Sequence, residues 1–167
     1  AQSLVKDGGA HSLAPSPDGS RLAWVSGDHD FALGSGQLGN VAPSSIRVVK
    51  LAGGEPVKVT DGLSLAMSPM WRDDSHLIFV SNSGGIRDLV EVTLNRQGRP
   101  RGPPHRLTTG LNAHSVRLSA DGSQLTVTVL GQVSNVWQVE LPASGFASAR
   151  AADPVTTGDQ AVDDLDV

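Results

Sequence analysis

The chain contains no cysteine, which excludes a disulfide framework, a thiolate metal site and a thiol nucleophile, and is compatible with either redox compartment. It is also poor in charge, at 18%. Its Lys and Arg residues are scattered and the formal net charge is −4, so there is no basic footprint and nucleic acid is not an expected partner. No apolar run approaches 18 residues and no signal peptide is visible, so a soluble form without membrane insertion of this segment is expected. No amphipathic helix of useful length appears, and no G-x-S-x-G elbow exists to expose a serine nucleophile. These absences point away from an enzyme.

What is present is turn chemistry. Gly 19, Pro 10 and 38% apolar residues suit many short strands joined by tight turns. The turns also recur. Val59-Thr60-Asp61-Gly62, Leu107-Thr108-Thr109-Gly110 and Val155-Thr156-Thr157-Gly158 place their threonines 48 residues apart each time. A second marker, Ser16-Pro17-Asp18-Gly19, returns in degenerate form as Arg72-Asp73-Asp74-Ser75 and again as Ser119-Ala120-Asp121-Gly122. An apolar run follows each one. Self-similarity at such a period signals a solenoid, a propeller or an array.

Taken in order, residues 1–9 read as the end of a preceding unit, since Val5-Lys6-Asp7-Gly8 parallels Val59-Thr60-Asp61-Gly62. Unit one (10–61) is predicted to form strands at 11–15, 21–26, 46–51 and 56–60. Unit two (62–109) places them at 65–71, 77–81, 89–94 and 105–108. Unit three (110–157) places them at 113–118, 124–130, 135–141 and 153–156. Residues 158–167 match the first strand of a further unit. The expected fold is all-β: about three complete four-stranded antiparallel meanders with partial flanking strands.

The SPDG turn with its apolar follower, the Asn135-Val136-Trp137 segment and the ϕ-T-x-G ending together resemble the TolB-like, WD-like β-propeller repeat. Unit three is nearest to that pattern, and the similarity covers nearly all the chain. It departs at Arg72 to Ser75 and in the long loop 27–44. The resemblance implies a partial propeller acting as a protein or peptide interaction scaffold, periplasmic or extracellular. Related propellers also occur in prolyl-oligopeptidase-like peptidases and in sensor regions of bacterial kinases, so a segment of such a larger protein is the alternative. Open blade edges are a route to a homo-oligomer, as a dimeric ring or a filament.

Candidate binding residues follow from this layout. The loop opened by Asp28, His29, Asp30 and Phe31 is enlarged and projects where propeller ligands dock. Three consecutive ligand types on one loop do not converge on a metal, so none is expected. His11, Met67, His114 and Asp163 occupy one register position of four successive first strands, which places them near one mouth of the central channel. Gly34-Ser35-Gly36-Gln37-Leu38-Gly39 fits a dinucleotide fingerprint but lacks the strand before it and the helix after it, so no cofactor is expected. Trp24, Trp71 and Trp137 are predicted to fill the space between sheets. Asp18 and Asp121 are predicted to bond their own turns, and Arg96, Arg99 and Arg101 to decorate a solvated connector.

Overall fold

The computed structural model describes residues 4–27, 43–119, 122–129 and 135–158. β1 (Ala10–Pro15), β2 (Arg21–Gly27), β3 (Ser44–Lys50) and β4 (Val57–Lys58) form one antiparallel meander in chain order. β5 (Ala66–Trp71), β6 (His76–Gly84), β7 (Ile86–Thr93) and β8 (His105–Arg106) form a second with the same plan. β9 (Ala113–Leu118) pairs with β10 (Leu125–Val129), and β11 (Trp137–Gln138) pairs with β12 (Asp153–Pro154) after a single 3-10 turn at Ala149–Ala151. The chain divides into two compact units, Ala1–Leu130 with β1 to β10 and Gly131–Val167 with β11 and β12.

Central strands read as continuous apolar runs because both of their faces are covered. In β6, Leu77 and Phe79 enter one buried cluster with Val25, Ile46 and Val48 of the first sheet. Their alternates Ile78 and Val80 enter another with Ala113 and Val116 of β9. The period of two thus splits one strand between two cores. β7 divides likewise, with Val90 and Val92 on one side and Leu89 on the other. Within this unit β1 lies beside β5 and β5 beside β9. The first strands neighbour one another, an arrangement consistent with part of a β-propeller.

The recurring threonines have one job. Thr60 Oγ1 accepts the Ile46 N–H at 3.0 Å, Thr108 Oγ1 accepts that of Leu89 at 2.9 Å, and Thr156 Oγ1 accepts that of Val136 at 3.0 Å. The fourth strand of each unit is only two residues long, so the side chain serves an amide that the short ladder leaves over. The hydroxyl of Thr108 donates on to Asp88, and that of Thr156 to Asn135. The second marker is equally regular. Ser16 N–H donates to Arg21 O at 2.9 Å and Ser119 N–H to Gln124 O at 2.8 Å, with Gly19 and Gly122 at φ 66 and 70, which only glycine adopts freely. In the degenerate copy the turn is one residue shorter, and Asp73 Oδ1 accepts the N–H groups of Ser75 and His76 instead.

Among the described residues two four-stranded sheets are complete rather than three. The four predicted strands of residues 110–157 exist, but they are shared between two sheets of two strands. The sequence explains the difference. β10 alternates threonine with Leu125 and Val129, which stay 38% and 59% exposed, and β11 and β12 are two residues each, so little apolar area seals this region. The expected strand at 162–167 lies outside the described residues.

Contacts between the first two sheets are specific. Arg21, 6% exposed, donates from Nη1 to Asn95 O at 3.2 Å and from Nη2 to Asp74 O, with its guanidinium 4.8 Å over the Trp71 ring. Lysine cannot reproduce this fork. Arg21→Lys is therefore expected to lower unfolding stability by about 2 kcal/mol, read by urea denaturation.

Asp88, 3% exposed, gives a pH signature. Burial pushes its carboxyl up, but N–H groups of Leu111 and Gly110, the Thr108 hydroxyl and the nearby Arg106 charge outweigh that and hold it below the ordinary value. A folded value below the unfolded one contributes stability above roughly pH 4, lost as pH falls through the folded value. Asp88→Asn is expected to flatten that acid limb, measured by urea unfolding at neutral and at acid pH. An unchanged limb would contradict the assignment.

Candidate functional site

The three neighbouring first strands each carry a register shift, at matching positions in β1 and β5 and slightly earlier, between Ala113 and Ser115, in β9. In β1 the pairing passes from His11↔Val25 to Ala14↔Ala23, so one extra residue is accommodated on that strand. In β5 it passes from Met67↔Val80 to Met70↔Ile78, and in β9 the register shifts between the partners of Thr128 and Val129. Each shift is a β-bulge, which bends a strand and re-aims its side chains. Within two of them a serine sits in the left-handed region, Ser12 at φ 52 and Ser68 at φ 51. A non-glycine residue held there costs about 1–3 kcal/mol and persists only where the surroundings enforce it.

The bulges open onto a cavity of about 430 Å³ lined by residues of all three strands. Ser12, Ser68 and Ser115, one from each strand, supply hydroxyls. Leu13, Met70 and Trp71 supply apolar surface, and Arg117 supplies the charge. Trp71 is fixed by its indole N–H, which donates to Ala14 O at 3.0 Å across the sheet boundary. His11 braces the first bulge. Its Nε2 lies 2.9 Å from Gly27 O, an acceptor only, so Nε2 carries the proton. In the neutral ring Nδ1 then accepts from Ser12 Oγ, also at 2.9 Å. Ser115 Oγ is tied to Thr128 Oγ1 at 2.7 Å.

The residues expected from sequence take other places. His11 stands one residue from the lining and holds Ser12 rather than facing the cavity itself. Met67 is 1% exposed and belongs to the buried cluster shared by β5, β6 and β9. Its side chain packs a core because that face of β5 meets the next sheet. His114, on β9, is half-buried. The cavity draws on the adjacent register position, Ser12, Ser68 and Ser115. A signal for it existed: those serines repeat at the spacing of their neighbours His11, Met67 and His114. Asp28, His29, Asp30, Phe31 and Asp163 lie outside the described residues, as does the glycine pattern at 34–39.

Two further expectations resolve clearly. Asp18 does bond its own turn: the Ser16 hydroxyl, the Ser20 N–H and the Ser20 hydroxyl all donate to it and lower its carboxyl to about 2. Trp24 and Trp71 are buried as predicted, at 2% and 7% exposure, but Trp137 is 60% exposed. Its two-residue strand pairs only with Asp153 and Pro154, too small a sheet to cover an indole. Among the described residues, no group of three or more His, Asp or Glu side chains could hold a metal ion. No helix among them is long and apolar enough to cross a membrane.

No protein-family model and no curated protein sequence matches the chain. Solved structures do. One is the structure of a Mycobacterium tuberculosis puromycin-hydrolyzing peptidase, 25% identical with a TM-score of 0.57 over 75% of this chain and 20% of that chain. Another is the crystal structure of TolB from Acinetobacter baumannii, 16% identical with a TM-score of 0.55 over 86% of this chain and 30% of that chain. This chain therefore spans about a fifth of the one and three tenths of the other. It is structurally similar to TolB and to this peptidase, as an all-β chain of four-stranded antiparallel sheets consistent with a partial propeller.

Proposed function

We propose that this chain is a non-enzymatic interaction scaffold that docks a protein or peptide segment at the cavity formed by its first strands. The observation that carries this reading is the convergence of three bulged strands on one cavity, two of them holding a serine at positive φ. Strain maintained at equivalent points of a repeat is a reason to look for function there. The lining supports binding more than chemistry. The His11 imidazole is oriented by a backbone carbonyl rather than a carboxylate, so this contact supplies no anion to stabilise the imidazolium that a catalytic base becomes. The cavity lies within the range of about 300–1,000 Å³ in which small ligands and chain ends are held.

A second reading is favoured by the 25% identity to the peptidase. In it the chain is the substrate-filtering segment of a larger hydrolase. Recovery of the complete reading frame discriminates the two, since the second requires a G-x-S-x-G hydrolase domain in the same polypeptide.

The scaffold reading is tested by selecting peptides from a display library on the wild-type chain and measuring the winners on Leu13→Arg. Leu13 is 65% exposed, so the substitution is expected to leave unfolding stability within about 0.5 kcal/mol. Binding is expected to weaken by at least about tenfold, since a long hydrated side chain then replaces the apolar contact surface of the cavity rim. Peptides that bind both proteins equally would remove the cavity from the proposal. In parallel, Ser68→Gly exchanges backbone strain for chain entropy, so its stability is expected to stay within about 1 kcal/mol of wild type while peptide affinity falls.

A further inference from the structure

We propose that the cavity recognises the free C-terminal carboxylate of a peptide whose last residue is apolar, with Arg117 as the pairing group. This rests on the cavity being the docking site. It adds the chemistry of what docks. The argument begins with charge. Among the described residues Arg117 is the one charged side chain of the lining and no acidic residue lines the cavity, although the chain as a whole carries 17 acidic against 13 basic residues. A cation left without a carboxylate in so acidic a chain is a place where an anion gains Coulomb energy that it finds nowhere else on the lining.

Geometry then selects the anion. Arg117 and Ser115 alternate with buried Val116 along β9, so both project from one side of the strand. Arg117 Nη1 donates to Val116 O at 2.9 Å, which steadies the guanidinium while its remaining N–H groups keep the fork that fits a carboxylate. A phosphate group is doubly charged and is usually met by a cluster of arginines. A single arginine matches a monovalent carboxylate.

The remainder of the lining fits what a chain end would bring with it. Met70 and Trp71, 8% and 7% exposed, give a fixed apolar floor for a terminal side chain. Pro15 and Pro69 on the walls have no N–H to satisfy, so an apolar group can cover them without stranding a donor. Ser12 and Ser115, whose hydroxyls are held by His11 and Thr128, keep oxygen lone pairs able to accept the N–H groups that precede a terminal residue. An internal peptide segment would bring a carboxylate to Arg117 only through an Asp or Glu side chain, which the amide-capped apolar tetrapeptides below lack, and an N-terminus would bring a second cation.

The test uses the wild-type chain and acetylated tetrapeptides ending in Leu, Phe, Val or Ala, each as the free acid and as the C-terminal amide, titrated calorimetrically. At least one acid is expected to bind about tenfold or more tighter than its amide, the usual scale of a charge-assisted hydrogen bond, and to weaken with added salt. Arg117 is exposed, so Arg117→Gln is expected to melt with the wild type. It should lower the acid to the amide's affinity and leave the amide unchanged. Equal binding of acid and amide by the wild type overturns carboxylate recognition and leaves peptide docking standing. Failure of every tetrapeptide, while display-selected internal sequences still bind through Leu13, overturns it in the same way. If neither class binds a folded chain, this inference and the scaffold reading fall together.

Discussion

A sheet whose inner strands are apolar on both faces cannot stand alone in water, and the second sheet of this chain is such a sheet. Leu77 and Phe79 of β6 need the first sheet, and Ile78 and Val80 need β9. Burial of an aliphatic or aromatic side chain is worth about 1.5–3 kcal/mol, so four such residues divided between two cores couple three successive sheets. The neighbouring of β1, β5 and β9 follows from that coupling, because sheets that pack face to face and twist in one direction bring their equivalent edges together.

That coupling is also what allows the site to be strained. The left-handed serines in β1 and β5 would relax to extended backbone if their strands were free. They are not free: the bulge in β5 lies between Met67 and Met70, both buried, and the bulge in β1 is braced by His11 against Gly27. Trp71 joins the two strands through Ala14. The packing that closes the cores therefore fixes the register, and the register places Ser12, Ser68 and Ser115 at one cavity. Site and fold here depend on the same side chains.

Much of this was legible in the sequence because the relevant interactions are local or periodic. Strand positions and the antiparallel order follow from turn residues and apolar runs, and β9 falls on the predicted 113–118. Thr60, Thr108 and Thr156 are visible as a repeat because each must meet an amide at a fixed place in its own meander. Asp18 is visible because its partners are two residues away. The left-handed serines were not legible, since Ser12 and Ser68 sit in stretches that otherwise read as plain strand, and a bulge is a property of pairing rather than of one strand. The burial of Met67 is not legible either, since which face of β5 meets the neighbouring sheet is set by packing and not by strand position. Trp137 looked like a core aromatic by its type and strand, but burial depends on how much sheet surrounds it.

Where the copies differ shows which positions the architecture constrains. The residue preceding each threonine-bonded amide varies as Ser45, Asp88 and Asn135, and Asp88 and Asn135 both accept from that threonine. One residue earlier the chemistry diverges further. Ser44 Oγ donates to Ala66 O and accepts the Ala66 N–H, so the first sheet grips the first strand of the second. At the matching place Arg87 reaches Asn112 Oδ1 with Nε and Nη2, and Asn112 stands at φ 51. Burial pulls the Arg87 guanidinium below its ordinary value, and its Nη1 is buried without a hydrogen-bond partner. A short hydroxyl clamp and a long, incompletely satisfied guanidinium clamp hold the same kind of junction. The two junctions thus reach the next first strand with different donors, whereas the bond inside each meander is made by threonine in all three copies.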